Sequence, residues 1–171
     1  DVYGFVKPDR FSNFISVATA LDLDRFRAQA SCLATFIHDR IEGQEAPADK
    51  HVFTPAVFAS VYPLRNRDFS VRAFYKQSFR MPTFNDLYYA DMGNSRLSPE
   101  RVTQYNAGIL YDHHSSTSVI SGARASVDVY YNRVKDKIVA YPKGQQFRWT
   151  MLNLGLVDIR GIDVSALITL N

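Results

Sequence analysis

The sequence predicts an all-β chain: an antiparallel meander of about seven long strands forming part of a transmembrane β-barrel. Three observations carry that prediction. Hydrophobicity alternates with period two along most of the 171 residues. The segments between alternating stretches are short and long by turns. Two apolar faces are bracketed by phenylalanines ten residues apart, Phe26 with Phe36 and Phe69 with Phe79.

The elements follow in order. Residues 14–21 read as a first, weaker strand. From Phe26 one face carries Phe26, Ala28, Ala30, Cys32, Ala34 and Phe36, and the other Arg27, Gln29, Ser31, Leu33 and Thr35. Residues 53–62 are a third strand. Phe69, Val71, Ala73, Tyr75, Gln77 and Phe79 then oppose Ser70, Arg72, Phe74, Lys76 and Ser78. In residues 102–111, Tyr105, Ala107, Ile109 and Tyr111 oppose Gln104, Asn106 and Gly108. The cleanest case sets Ala123, Ala125, Val127, Val129 and Tyr131 against Arg124, Ser126, Asp128, Tyr130 and Asn132. Near the end Ile162, Val164, Ala166, Ile168 and Leu170 oppose Gly161, Asp163, Ser165, Leu167 and Thr169. Successive side chains of a strand point to opposite faces, so each list is one surface. No helical period of comparable length competes.

Connections at residues 22–24, 64–67 and 112–118 are short; those at 43–50, 81–99 and 142–148 are longer. Short turns at one end and long loops at the other are the habit of membrane barrels. Ten residues of strand span roughly 33 Å at about 3.3 Å each. Tilted by about 40°, they rise roughly 25 Å, the height of a barrel's apolar band. Arg27, Gln29, Arg72, Lys76, Arg124, Asp128 and Asp163 would then face a wet or plugged lumen, because a charge at the bilayer midplane costs about 2–4 kcal/mol.

Composition excludes several functions. The net charge of +3 is too small, and the 20 Lys and Arg too scattered, to point to nucleic acid. Cys32 is the only cysteine, so an internal disulfide and a CxxC site are both ruled out. The opening Asp1-Val2-Tyr3-Gly4 has neither the basic nor the apolar region of a secretion signal. His113 and His114 are adjacent and point apart on an extended chain, and His38 and His51 have no nucleophile at fixed spacing. No catalytic residue, resident metal or cofactor is expected, and the chain does not read as an enzyme.

The stretch from Ser78 to Glu100 carries a more specific signal. Phe79-Arg80-Met81-Pro82-Thr83, followed by Leu87-Tyr88, resembles a motif of TonB-dependent outer-membrane receptors. Gly93-Asn94, then Leu97-x-Pro99-Glu100 and Tyr105-Asn106-x-Gly108, continue the likeness in the same order. So do Tyr130-Tyr131-Asn132, Asn153-x-Gly155 and Gly161-Ile162-Asp163. The likeness spans residue 53 to about residue 170.

It implies a barrel of about 22 strands with a plugged lumen. It also implies uptake of a scarce iron–siderophore, haem or cobalamin type of ligand across the outer membrane of a Gram-negative bacterium. The TonB complex of the inner membrane would supply the energy through a plug region. Residues 1–171 would be one partial barrel domain, with the plug and the last strand outside this sequence. On this reading Phe79, Pro82, Leu87 and Tyr88 pack at the barrel rim. Tyr89, Asp91, Arg96, Gln145, Arg148 and Trp149, in the long loops, are the candidates for contact with a small metal chelate.

Two alternatives keep their own expectations. A soluble antiparallel β-sandwich binding a partner by its loops would pack its apolar faces against each other in one core. A passive porin would share the wall and lack the plug. An excised piece of wall would have two unpaired strand edges and should self-associate.

Overall fold

All seven predicted strands form, and each runs past the expected stretch at one end or both; the third stops one residue short of its expected end, at Val61. In this computed structural model, which describes residues 7–41, 49–89, 92–115, 119–144 and 148–170, they are β1 (Pro8–Asp22), β2 (Phe26–Ile41), β3 (Lys50–Val61), β4 (Phe69–Arg80), β5 (Glu100–His114), β6 (Ile120–Lys135) and β9 (Leu156–Leu170). They join as one antiparallel sheet in the order β1-β2-β3-β4-β5-β6-β9. Among the described residues no second sheet is stacked on it, so the core a sandwich requires is not there.

Two smaller elements interrupt the loops. Of the stretch 142–148, expected to be a plain loop, residues 142–143 close one strand and residue 148 opens the next in a hairpin of β7 (Ile138–Lys143) and β8 (Arg148–Asn153). Its strands are six residues each, and Pro142 pairs with Trp149 where a two-stranded ribbon tolerates a missing N–H. A single helical turn, α1 (Phe84–Tyr88), lies in the loop after β4.

The register puts like with like. Asp22, Arg27, Ser60, Arg72, Gly108, Asp128 and Asp163 are successive cross-strand partners on one face. The next row, on the opposite face, is Leu21, Ala28, Ala59, Ala73, Ala107, Val129 and Ile162. The apolar face is the open one: Val17, Ile162 and Val164 are 69%, 68% and 72% exposed. Ser60, Ser70, Thr35 and Asp39, on the polar face, are buried. This inverts the arrangement of a water-soluble protein. The polar face is the inner one, because the loop after β4 folds over it.

The apolar band also climbs across the sheet. On β1 the exposed apolar residues of the outward face run from Leu21 up to Phe11, whereas on β9 their unbroken run goes from Ile162 down to Leu170, with Asp158 and Arg160 separating it from Leu156 above. Leu21 and Ile162 share a row. The band therefore shifts by roughly nine residues, or about 30 Å, over six interstrand steps of about 4.8 Å each. A flat bilayer meets such a band only if the strands lean by about 45°, at the steep end of the tilt of membrane barrels. The upper rim becomes a staircase of Phe11, Phe36, Phe53, Phe79, Tyr105 and Tyr131, all on the outward face. Aromatic rings at such a rim sit where apolar body and wet edge are both satisfied.

Candidate functional site at the long-loop mouth

Pro82 ends the pairing of β4, having no N–H to offer. Thr83 then caps α1: the Asp86 N–H donates to Thr83 Oγ1 at 3.2 Å and the Thr83 N–H donates to Asp86 Oδ2 at 2.9 Å. This reciprocal box is what lets so short a helix form. It turns Leu87 inward, where Leu87, Leu97 and Ile138 form a buried apolar cluster with Tyr88 and Met151 against it.

The loop is clamped to the inner face of β1–β3. Arg10 binds Asp39 through two contacts of 2.7 and 2.8 Å and donates to the Pro82 carbonyl at 3.0 Å. Its guanidinium lies 4.9 Å from the centre of the Phe84 ring. Lys50 donates to the Leu97 carbonyl at 3.1 Å. Tyr88 is packed under this clamp, and burial first, then the nearby Asp39 charge, pushes its phenol above the usual range, with Arg10 opposing. The aromatics of this loop therefore divide. Phe84 and Tyr88 turn inward, and Tyr89 is exposed.

A second set of bonds docks the hairpin on the loop. Asn94 Nδ2 donates to the Met151 carbonyl at 2.9 Å, and the Met151 N–H donates to the Met92 carbonyl at 3.0 Å. Asn153 accepts from the Ser98 N–H at 2.8 Å and donates to the carbonyls of Ser98 and Asp136 at 2.9 and 2.6 Å. Glu100 takes two bonds of 2.9 Å from Arg80 and one of 2.7 Å from the Ile138 N–H. Thus Arg80, Asn94, Glu100 and Asn153, singled out in the sequence, are where the rim is stitched. Pro99 is half-buried beside Glu100, Gly155 follows the hairpin with φ of +69°, and Gly161 lies beneath the Tyr130 ring. At Gly93 a side chain would collide with the Leu87 carbonyl. Phe79 is on the outward face of β4, and Asp163 on the inner face of β9.

Between loop and hairpin lies a cleft of about 640 Å³, lined by Asn94, Ser95, Arg96, Tyr141, Gly144 and Thr150 among others. Arg96 is exposed, and among the described residues its guanidinium has no partner. Of the residues named from sequence for ligand contact, Arg96 lines the cleft. Tyr89 and Trp149 are 59% and 45% exposed on its flanking elements without lining it. Asp91 and Gln145 lie outside the described residues, as does the side chain of Arg148, which opens β8. Tyr141 and Thr150 were not anticipated; they oppose each other across β7 and β8, whose six-residue strands show no sustained two-residue alternation that would have marked them. A larger concavity of about 880 Å³ lies over the alanine row on the outward face. It is almost wholly apolar and lies on the outward face, so the smaller, mixed cleft is the better candidate for a ligand site. Among the described residues no cluster of His, Cys, Asp or Glu could hold a metal ion.

The likeness to known proteins runs the whole length of the wall. A family model described as "TonB dependent receptor-like, beta-barrel" matches residues 10–171. The vitamin B12 transporters BtuB of Vibrio vulnificus and Photobacterium profundum are similar to the chain, with 34% identity over 89 residues and 32% over 88. Each match takes in 52% of this chain but only 13% and 14% of those proteins. The fold is also that of a double mutant of the Serratia marcescens hemophore receptor HasR, solved with its hemophore HasA and heme. There the TM-score is 0.78 at 13% identity, covering 94% of this chain and 32% of the other.

Proposed function

This chain belongs to the TonB dependent receptor-like β-barrel family, and from that premise we propose that it is wall and mouth of an outer-membrane receptor that imports a scarce metal chelate with energy delivered by TonB. The observation that carries the proposal is the inverted sheet: an apolar outer face rimmed by aromatics, and an inner face of paired charges. The outer face suits lipid. The inner face suits a plug domain, which would hydrogen-bond to the polar row and be displaced when TonB pulls.

The loop–hairpin cleft at the long-loop end would receive the ligand, with Arg96 as its charged contact. The cleft's mixed lining suits a large chelate with an apolar periphery and anionic or amide arms. The likeness to vitamin B12 transporters makes a corrinoid the first ligand to test.

The test is made on the full-length receptor. Cyanocobalamin, hemin and a ferric hydroxamate are titrated in turn, and uptake is followed in cells with and without TonB. One of the three binds and enters only where TonB is present, and Arg96→Ala weakens that binding by roughly tenfold, the loss of one charge-assisted hydrogen bond. Uptake equal in both strains, or an Arg96→Ala receptor that binds as wild type, contradicts the proposal.

A further inference from the structure

We propose that the outer surface of the wall holds the phosphate of a membrane lipid between Arg101 and Lys135, just above the aromatic rim. Both side chains are on the outward face, and the two residues are direct cross-strand partners on β5 and β6. Both are exposed, and among the described residues neither has a hydrogen-bond or ion-pair partner. Like charges facing each other across a ladder repel, so this placement calls for an anion between them. The neighbouring cations are already engaged. Arg133 is paired with Asp158 at 2.9 Å, and Arg160 lies 5.3 Å from the centre of the Tyr131 ring.

A second, independent feature sits at the same place. β3 and β4 are in register from Val61↔Val71 up to Ala56↔Lys76 and no further. Pro55, with no N–H to give, stands at the break. Beyond it a cleft of about 130 Å³ opens, lined by Phe53, Gln77, Phe79, Arg101, Thr103 and Lys135 among others. At about 30 Å³ per water, that is room for roughly four waters or one phosphate group. Phe53 and Phe79 are two steps of the aromatic rim, so the cleft straddles the boundary between acyl chains and water.

The height agrees. Arg101 and Lys135 lie four residues beyond Tyr105 and Tyr131, about 13 Å along the strand and roughly 10 Å along the bilayer normal at the tilt above. That is the headgroup layer. A lipid phosphate would lie there with its acyl chains running down past the stacked rings of Tyr105 and Tyr131, whose centres are 6.0 Å apart, onto the alanine row. Free phosphate would gain the two cations but not that apolar surface.

This inference rests on the outward face meeting lipid, as in the proposed function, but not on the ligand or on TonB. The test uses full-length receptor in detergent, with retained lipid counted by native mass spectrometry. The probes are dioleoyl phosphatidic acid, its phosphate-free diacylglycerol and inorganic phosphate. Wild type retains phosphatidic acid over diacylglycerol. Arg101→Ala with Lys135→Ala loses that preference at least tenfold, while Arg101→Lys with Lys135→Arg keeps it, and so does Arg65→Ala in the short turn at the opposite end. Heat-modified gel mobility shows that each variant is folded. Equal retention by the Ala double variant overturns the inference. So does displacement of the lipid by inorganic phosphate at matched concentration, which would mark an adventitious ion only. Ligand uptake measured on the same variants separates this result from the proposed function: lipid preference lost with uptake intact leaves both readings standing.

Discussion

Gly108 is defined by what its neighbours need. Arg72 and Asp128 stand one strand to either side of it in the same inner row, and they meet over it at 2.7 Å. A Cβ there would run into the Asp128 carboxylate. The pair is well placed to matter, since Asp128 is only 14% exposed and the bond lies along the wall rather than out into solvent. Gly161 has the same logic with a different tenant, since the ring of its partner Tyr130 occupies the space a side chain would need. We therefore expect Gly108→Val to lower the stability of the full-length receptor in lipid vesicles by about 1–3 kcal/mol. In an Asp128→Ala background the same change should cost distinctly less, because the contact it breaks is already gone. Equilibrium urea unfolding of the four proteins checks this, and additive losses would show that glycine serves something else.

Among elements, the loop after β4 and the β7–β8 hairpin stand or fall together. Glu100 is their common acceptor: it is buried, and it binds both the end of β4 through Arg80 and the start of β7 through the Ile138 N–H. Glu100→Ala leaves that amide without its acceptor, a loss of roughly 1–3 kcal/mol confined to the rim. Hydrogen exchange should show faster exchange at Ile138 and through residues 148–153, with the sheet amides of β5 and β6 unchanged. Unaltered exchange at Ile138 would mean the hairpin is held by other contacts.

This is also where the sequence was least legible. The long strands could be read because alternation repeats over ten or more residues. The hairpin has six-residue strands with a proline inside one, too little signal for a period. The roles of Asn94, Glu100 and Asn153 are long-range, joining residues 38 to 57 apart in the chain. Motif likeness marked these positions, but only the register and the docking show what they do. The same holds for Arg72 and Asp128, 56 residues apart, whose pairing needs the two intervening turns to set the rows.

At the scale of the whole molecule, the sheet is a wall with its apolar face exposed and its polar face partly covered, the reverse of a water-soluble protein. The climbing apolar band gives its tilt, and the bands of Phe and Tyr give its upper edge. β1 and β9 pair on one side only among the described residues, so the wall has two edges where further strands of a barrel would join. Everything proposed for the mouth, the lumen and the lipid site assumes the same assignment of faces. That assignment is tested most directly on β6. In the full-length receptor, Cys32 is replaced by Ser, and a single cysteine is placed in turn at positions 124 to 132 and labelled with a nitroxide in lipid vesicles. Collisions with oxygen, which favours lipid, are compared with those of a water-soluble nickel chelate. Labels at 125, 127, 129 and 131 should collide mainly with oxygen, and labels at 124, 126, 128, 130 and 132 mainly with the chelate. The opposite parity, or no two-residue period, would contradict the account.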